Sequence, residues 1–292
     1  MEILGYIGAV LMGLSLGLIG GGGSILTVPI LVYLFSIDTV LATAYSLFIV
    51  GLTALVGSVS HVRMGNIHWR MALVFGVPSI VAVFLTRAYL VPALPDPLFW
   101  IGTILISKAL GMLIFFASLM VVAAYSMIRK QKAETPTPPS DGSRTSDVAD
   151  LAVSAAVTGI IGGGDGVLIR GTLVILEGAV VGTVTGLVGA GGGFLIIPAL
   201  VLLAKLPMKQ AVGTSLMIIA AKSLIGFTGD LKGNEQIDWS FLLTFSAIAI
   251  GGIIAGSWLS RHIPNEKLKP AFGWFVLVMG VYIITRELSS MT

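Results

Sequence analysis

Gly17-Leu18-Ile19-Gly20-Gly21-Gly22-Gly23-Ser24-Ile25-Leu26-Thr27-Val28-Pro29 returns later in the chain as Gly186-Leu187-Val188-Gly189-Ala190-Gly191-Gly192-Gly193-Phe194-Leu195-Ile196-Ile197-Pro198. The offset is 169 residues (186 − 17), without a gap, and nine of the sixteen positions in 17–32 and 186–201 are identical. Glycine is the poorest helix former after proline. Both runs nevertheless interrupt apolar sequence of membrane-spanning character. Helices broken at corresponding places in two halves of a chain are the best sequence pointer to a transporter's binding site.

The composition around these runs is that of a polytopic membrane protein. The chain is 56% hydrophobic and 11% charged, against roughly 25% charged residues in soluble domains. Its mean hydropathy is +1.01. Cysteine is absent, which excludes disulfides and thiolate metal sites. The pI near 9.2 belongs to basic loops that orient a membrane protein and is no nucleic-acid signal. Met1-Glu2-Ile3-Leu4 lacks the basic start of a signal peptide, so the first apolar stretch is expected to be retained.

Apolar stretches fall at about 3–19, 24–36, 40–60, 71–91 and 98–128, then at 172–188, 193–204, 210–228, 239–260 and 270–288. Lengths near twenty residues suit a bilayer crossing. The short stretch 24–36 suits a re-entrant or tilted one. Between the two sets lies a Pro-, Ser- and charge-rich linker, and 151–169 reads as an interfacial loop in which Asp165 is a turn residue among glycines. The expected organisation is a first membrane repeat at 1–128, a cytoplasmic linker at 129–170 and a second repeat at 171–292. An odd number of segments per half inverts the second half. With the linker inside, this topology places 12 of the 17 basic residues inside, 3 outside and 2 within spans. A parallel arrangement with four spans per half gives 9 inside and 6 outside. The positive-inside rule favours inversion, with the N-terminus outside. The fold class expected is therefore an all-α polytopic membrane protein of two inverted-topology repeats, each with a Gly-rich broken or re-entrant helix pair.

The repeat extends beyond the glycines. Ala42-Thr43-Ala44-Tyr45-Ser46-Leu47 aligns with Ala211-Val212-Gly213-Thr214-Ser215-Leu216, and Gly65-Asn66-Ile67-His68-Trp69 resembles Gly233-Asn234-Glu235-Gln236-Ile237-Asp238-Trp239. With these motifs the chain resembles the TauE/SafE sulfite exporter family, also called the 4-toluenesulfonate uptake permease family. The resemblance covers nearly all of both halves outside 129–170. It implies a bacterial or archaeal inner-membrane permease for sulfite, sulfonates or related organosulfur anions. Tyr45 departs from the pattern, standing where the second copy has Thr214. It is expected to reshape the first half-site or add a phenolic donor to it.

The physical chemistry of the breaks suits an anion. Consecutive glycines let backbone amides approach a ligand. A new helix starting near Ser24 or Gly193 points free N–H groups and its positive dipole end into the break. The candidate binding set is Gly20, Gly21, Gly22, Gly23, Ser24 and Ser46 in the first half. In the second it is Gly189, Gly191, Gly192, Gly193, Thr214, Ser215 and Lys222. The competing reading of the glycines is close helix packing. No Gly-Lys-Ser/Thr follows either run, which excludes a nucleotide phosphate loop.

Lys222 lies inside an apolar span, where a lysine costs roughly 2.5–3.5 kcal/mol on insertion scales and therefore faces protein or water. It sits two turns beyond Ser215 on one helix face. Its structural alternative is snorkelling or a pair with Asp230. Tyr45, His61, Lys108 and Asp230 are candidates for gating or coupling. For Lys108 the alternative is snorkelling to the outer interface. For His61 and Asp230, 169 apart, it is capping of helix ends, and Glu177 is placed at the cytoplasmic interface.

These observations favour a secondary transporter working by alternating access, with a small anionic substrate, the bilayer as its environment, and homo-oligomerisation left open. An anion channel of the same architecture, or an uptake permease for another small organic anion, is the alternative. An intramembrane enzyme is disfavoured. The three histidines, His61, His68 and His262, have no metal-ligand spacing, and no nucleophile stands beside a base. No metal or cofactor is expected.

Overall fold

The computed structural model describes residues 2–101, 104–128, 167–202, 206–231, 237–259 and 265–289. Most of the 129–170 linker lies outside these residues. The described chain is helical apart from one short antiparallel ladder. The first half contains α1 (Glu2–Ile19), a 3-10 turn (Gly21–Leu26), α2 (Thr27–Leu34), α3 (Thr39–Arg63) and α4 (Trp69–Leu85). A π turn (Thr86–Leu90) and a last helical turn (Val91–Ala93) extend α4. Strands β1 (Phe99–Ile101) and β2 (Ile104–Ile106) follow, then α5 (Lys108–Ile128). The second half contains α6 (Val167–Val188), α7 (Gly193–Leu202), α8 (Met208–Asp230), α9 (Trp239–Leu259) and α10 (Asn265–Ser289).

Four helical stretches have the length and apolarity to cross a membrane: Thr39–Arg63, Trp69–Ala93, Lys209–Asp230 and Trp239–Leu259. Shorter apolar helices include Ile3–Ile19, Gly21–Leu34, Lys108–Val122 and Val174–Val188. The outer surface is apolar. On α4, Leu73, Val77, Val81 and Leu85 repeat every fourth residue and are all exposed. That spacing is one helix stripe. The interior instead holds small and polar residues, including Ser24, Thr27, Ser46, Thr53, Ser79, Thr185, Thr214, Ser215 and Ser223. This distribution suits a protein whose solvent is lipid, where close packing and internal polar contacts hold helices together.

Two expectations about segments change. The apolar stretch 98–128 is not one helix. Its first part forms the β1–β2 ladder, and α5 begins at Lys108, so Lys108 stands at a helix start rather than within a span. Its backbone N–H donates to Asp96 Oδ1 at 3.1 Å. In the first half the new α-helix does not start at Ser24. The chain winds through the 3-10 turn and enters α2 at Thr27. Pro29 thus falls in the first turn of α2, where its missing N–H breaks no helical bond.

In each half the segment after the break folds back on the one before it. Gly23 packs on the backbone of Leu16 and Met12, and Gly8 packs on Ile30, so α2 runs antiparallel along α1. Gly192 likewise packs on Thr185 of the preceding helix. Helices of the two halves then interlock: α1 with α9, α4 with α6, α3 with α8 and α5 with α10.

These contacts come in matched sets. Gly57 of α3 faces Leu216 of α8, while Gly226 of α8 faces Leu47 of α3. Shifting 57 and 47 by 169 gives 226 and 216, so one contact is the image of the other. Late α3 meets early α8 throughout, and Gly51 sits against Leu224, so the two helices are antiparallel. Gly13 of α1 packs on the Ala249 carbonyl of α9, and Gly182 of α6 packs on the Ser79 carbonyl of α4. These are also images, with offsets of 169 (182 − 13) and 170 (249 − 79), the second equal to the offset between Trp69 and Trp239 (239 − 69).

Candidate functional site

The two glycine runs meet. α1 ends at Ile19, and Gly20 turns the chain with φ of 80°. α6 ends at Val188, and Gly189, Gly191 and Gly192 all hold left-handed backbone, with φ of 74°, 65° and 62°. Only glycine takes such values without strain. Gly21 and Gly193 lie backbone against backbone, and Gly191 packs on Ser24 and Val50. Gly20 rests on Val212 and Gly189 on Thr43, another image pair, since 20 and 43 shifted by 169 give 189 and 212. Residues 20–24 and 189–193 are all buried. In this conformation the glycines therefore serve close approach between the breaks.

Lys222 reaches the second break. Its side chain is fully buried, and Nζ donates to Thr185 Oγ1 at 3.0 Å. The Thr185 hydroxyl spends its own proton on the Val181 carbonyl at 2.6 Å, which leaves its oxygen facing the ammonium as an acceptor. Gly192 forms the wall beside them, where a Cβ would stand 2.9 Å from Lys222 Nζ. α7 starts at the next residue, Gly193, so the ammonium and a helix start share one location. Both are electropositive.

The first break lacks this character. Ser24 Oγ donates to Gly21 O at 2.8 Å, and Thr27 Oγ1 donates to Ser24 O at 3.1 Å. The Thr27 amide also donates to Ser24 O. The 3-10 winding thus turns these two hydroxyls and the Thr27 amide back on the segment itself.

The remaining candidates sit in other settings. Tyr45 is buried, and its hydroxyl accepts the Asp238 backbone N–H at 2.7 Å. Thr214 Oγ1 accepts the His68 backbone N–H at 3.0 Å. His68 and Asp238 are the N-caps of α4 and α9, whose side chains in turn accept from Met71 N and Phe241 N. Tyr45 and Thr214 are repeat equivalents (214 − 45 = 169) performing one task, each holding the helix start of the opposite half. Ser215 Oγ donates to Val212 O at 2.8 Å, whereas Ser46 Oγ is buried without a hydrogen-bond partner among the described residues. His61 lies beside Gly213, its Nδ1 buried and without a hydrogen-bond partner among the described residues. Asp230 does not pair with Lys222. It meets Arg87 Nη1 at 3.4 Å, with the Arg87 side chain fully buried.

Thr185 and Arg87 are absent from the sequence-derived set. The signal for Thr185 is its position four residues before Gly189, whose N–H donates to the Thr185 carbonyl at 2.7 Å. Arg87 stands near the end of an apolar stretch and reads there as an interfacial charge. Its partner lies 143 residues away, beyond the reach of local pattern. Among the described residues, no group of three or more His, Asp or Glu side chains is placed to hold a metal ion.

Span-length apolar helices, a lipid-facing outer stripe and a polar interior define a multi-pass α-helical membrane protein. The helix break with a buried ammonium beside it is a feature of membrane proteins that handle ions. A family profile described as sulfite exporter TauE/SafE matches residues 6–283, and the chain belongs to that family. It is 27% identical over 290 residues to a probable membrane transporter protein of Xylella fastidiosa strain 9a5c, covering 96% of this chain and 94% of that one. It is 25% identical over 275 residues to the probable membrane transporter protein YdhB of Bacillus subtilis, covering 94% and 96%. A probable membrane transporter protein of Methanocaldococcus jannaschii is 22% identical over 296 residues, covering 97% and 93%. No solved structure matches. The protein is a membrane transporter of the TauE/SafE family, and none of these names denotes a catalytic activity.

Proposed function

We propose that the protein is a secondary transporter that exports small sulfur-containing anions, sulfite or organosulfonates, by alternating access of two inverted repeats. The observation that carries this reading is the buried Lys222 ammonium at the second glycine break. A buried cation in an apolar bundle is compensated by an anion, and a helix start beside it adds to the attraction. The family description supplies the sulfur oxyanion.

Inversion is supported by the matched contacts. Equivalent helices that pack antiparallel, as α3 and α8 do, require a twofold axis perpendicular to both. For membrane-crossing helices that axis lies in the membrane plane. The paired hairpins then enter from opposite faces and meet at their glycine tips. Rocking one repeat against the other exposes the junction to alternate sides. A monovalent anion leaving an inside-negative cell is driven by roughly 2.3 kcal/mol per 100 mV, which favours export without a coupled ion.

The test is anion flux in proteoliposomes with sulfite and a panel of sulfonates, comparing wild type with Lys222→Ala and Gly191→Ala. The reading expects flux in the wild type and its loss in both variants. Wild-type kinetics in both would overturn the proposed site, and turnover at channel rates would replace the carrier with a pore.

A further inference from the structure

We propose that substrate is held by the second half alone, at a one-sided site made of Lys222, Thr185 and the Gly192–Gly193 helix start, which takes one monoanionic oxygen-bearing head group per chain. This rests on the reading of the break junction as the transport site. It deepens that reading by saying which half binds and what charge it takes.

The repeat makes the comparison direct. An offset of 169 maps Lys222 onto Thr53, Thr185 onto Leu16, Gly192 onto Gly23 and Gly193 onto Ser24. In the first half the position of the ammonium holds a hydroxyl that donates to its own helix, Thr53 Oγ1 to Ile49 O at 2.6 Å. The position of its hydroxyl partner holds Leu16, which is fully buried. Ser24 closes on Gly21 O. The Ser24, Thr27 and Thr53 hydroxyls of the first half thus all donate to nearby backbone carbonyls of their own segments, and none of these positions carries charge.

The second half differs at each of these positions. The Lys222 ammonium has three donors, one of which takes the Thr185 oxygen. No carboxylate of the described residues lies within ion-pair distance of Nζ. Thr185 has given its proton to Val181, so it fixes the direction of the ammonium and is a positioning residue. Gly192, at φ of 62°, keeps the wall free of a side chain where a Cβ would meet both Thr185 and Lys222. A protonated Lys222 side chain and the partial charge of one helix start match a single negative charge. A dianion would carry a second charge into a low-dielectric interior with nothing to balance it. The first break then acts as the uncharged surface against which the site closes, through the Gly21–Gly193 and Ser24–Gly191 contacts.

The experiment titrates purified full-length protein in nanodiscs with methanesulfonate, a monoanion, and sulfate, a dianion, by calorimetry. The expected result is one methanesulfonate per chain, bound at least about ten-fold more tightly than sulfate. Lys222→Met is expected to abolish binding and Lys222→Arg to retain it. Thr185→Val is expected to weaken it by about ten-fold, as loss of a hydrogen bond to a charged group does. Thr53→Val is expected to leave it unchanged. If Lys222→Met does not fold, the arginine variant and the wild-type comparison of the two anions carry the test. Two anions per chain, equal binding of sulfate, or equal losses from Thr53→Val and Thr185→Val would overturn the one-sided site while leaving transport intact. Binding of nitrate but of no sulfur anion, with the same dependence on Lys222 and Thr185, would uphold the site and overturn the sulfur substrate.

Discussion

Gly21→Ala isolates the junction between the two halves. Gly21 does not need left-handed backbone, so the substitution adds one methyl and little else. The new Cβ would sit 2.5 Å from the Gly193 carbonyl oxygen and would overlap the Gly193 Cα and carbonyl carbon. Ordinary contact begins at 3.4 Å, so the carbonyl oxygen alone must retreat by 0.9 Å (3.4 − 2.5), and the nearer Cα and carbonyl carbon by more. The obstructing atoms are backbone, so no rotamer relieves the clash. Overpacking of this kind costs about 1–3 kcal/mol. Replacing glycine by alanine in a helical segment returns up to about 1 kcal/mol, which leaves a net loss of about 2 kcal/mol for a backbone overlap at the upper end of that range. Gly251→Ala is the control. It lies within α9 with no atom inside 4 Å of a built Cβ, and it is expected to be neutral or stabilising. Melting in detergent followed by tryptophan fluorescence, with size-exclusion recovery after heating, ranks the three proteins. Gly21→Ala/Gly193→Ala is expected to lose less than the sum of its single variants, because the first methyl has already opened the gap for the second. A Gly21→Ala protein that melts with the wild type would refute the close junction and with it the packing role of the breaks.

Tyr45→Phe and Thr214→Val each leave a backbone N–H at a helix start without its acceptor, and each is expected to lower stability by about 1–3 kcal/mol. The two losses are expected to add in the double variant, measured by the same melts. Asp230→Asn removes the carboxylate from the buried Arg87 and is expected to cost about 3 kcal/mol. Arg87→Met/Asp230→Asn is expected to recover part of that loss, and strict additivity would refute the pairing. The natural protein has no cysteine, so Met64→Cys and Leu231→Cys, both at exposed positions, can be labelled one at a time. Inversion expects membrane-impermeant reagents to reach them from opposite sides.

Much of this architecture is legible because glycine, proline and charge act locally. Four glycines in an apolar run cannot continue a helix, and the structure ends α1 and α6 where the runs begin. Lys222 is legible because a charge in the middle of an apolar segment demands an explanation. The ladder at Phe99–Ile106 is not, because a short run of Ile and Leu suits strand and helix equally. The 3-10 turn at Gly21–Leu26 escapes for a related reason. Ser24 can cap a helix or bond back to Gly21, and only the packing of Gly23 on Leu16 selects the second. Arg87 defeats hydropathy altogether, since its burial depends on a carboxylate contributed by the other half.

The repeat separates scaffold from site in a way that neither half does alone. Tyr45 and Thr214 look like a divergence in sequence, yet each delivers a hydroxyl oxygen to the cap of the facing helix. Different side chains there preserve one bond, so the position answers to the scaffold. Lys222 and Thr53 diverge in the opposite sense. Their helices pack as images of each other, but one carries a buried charge and the other a hydroxyl spent on its own backbone. Packing symmetry cannot account for that difference, because both helices fill the same kind of space. The cost of burying an ammonium falls on one half only, and a scaffold under no further demand would shed it. On the transport reading proposed above, the residues that break the symmetry in charge while keeping it in position are those on which a substrate acts. By that reading they are Lys222 and Thr185, whose hydroxyl oxygen takes the Lys222 hydrogen bond.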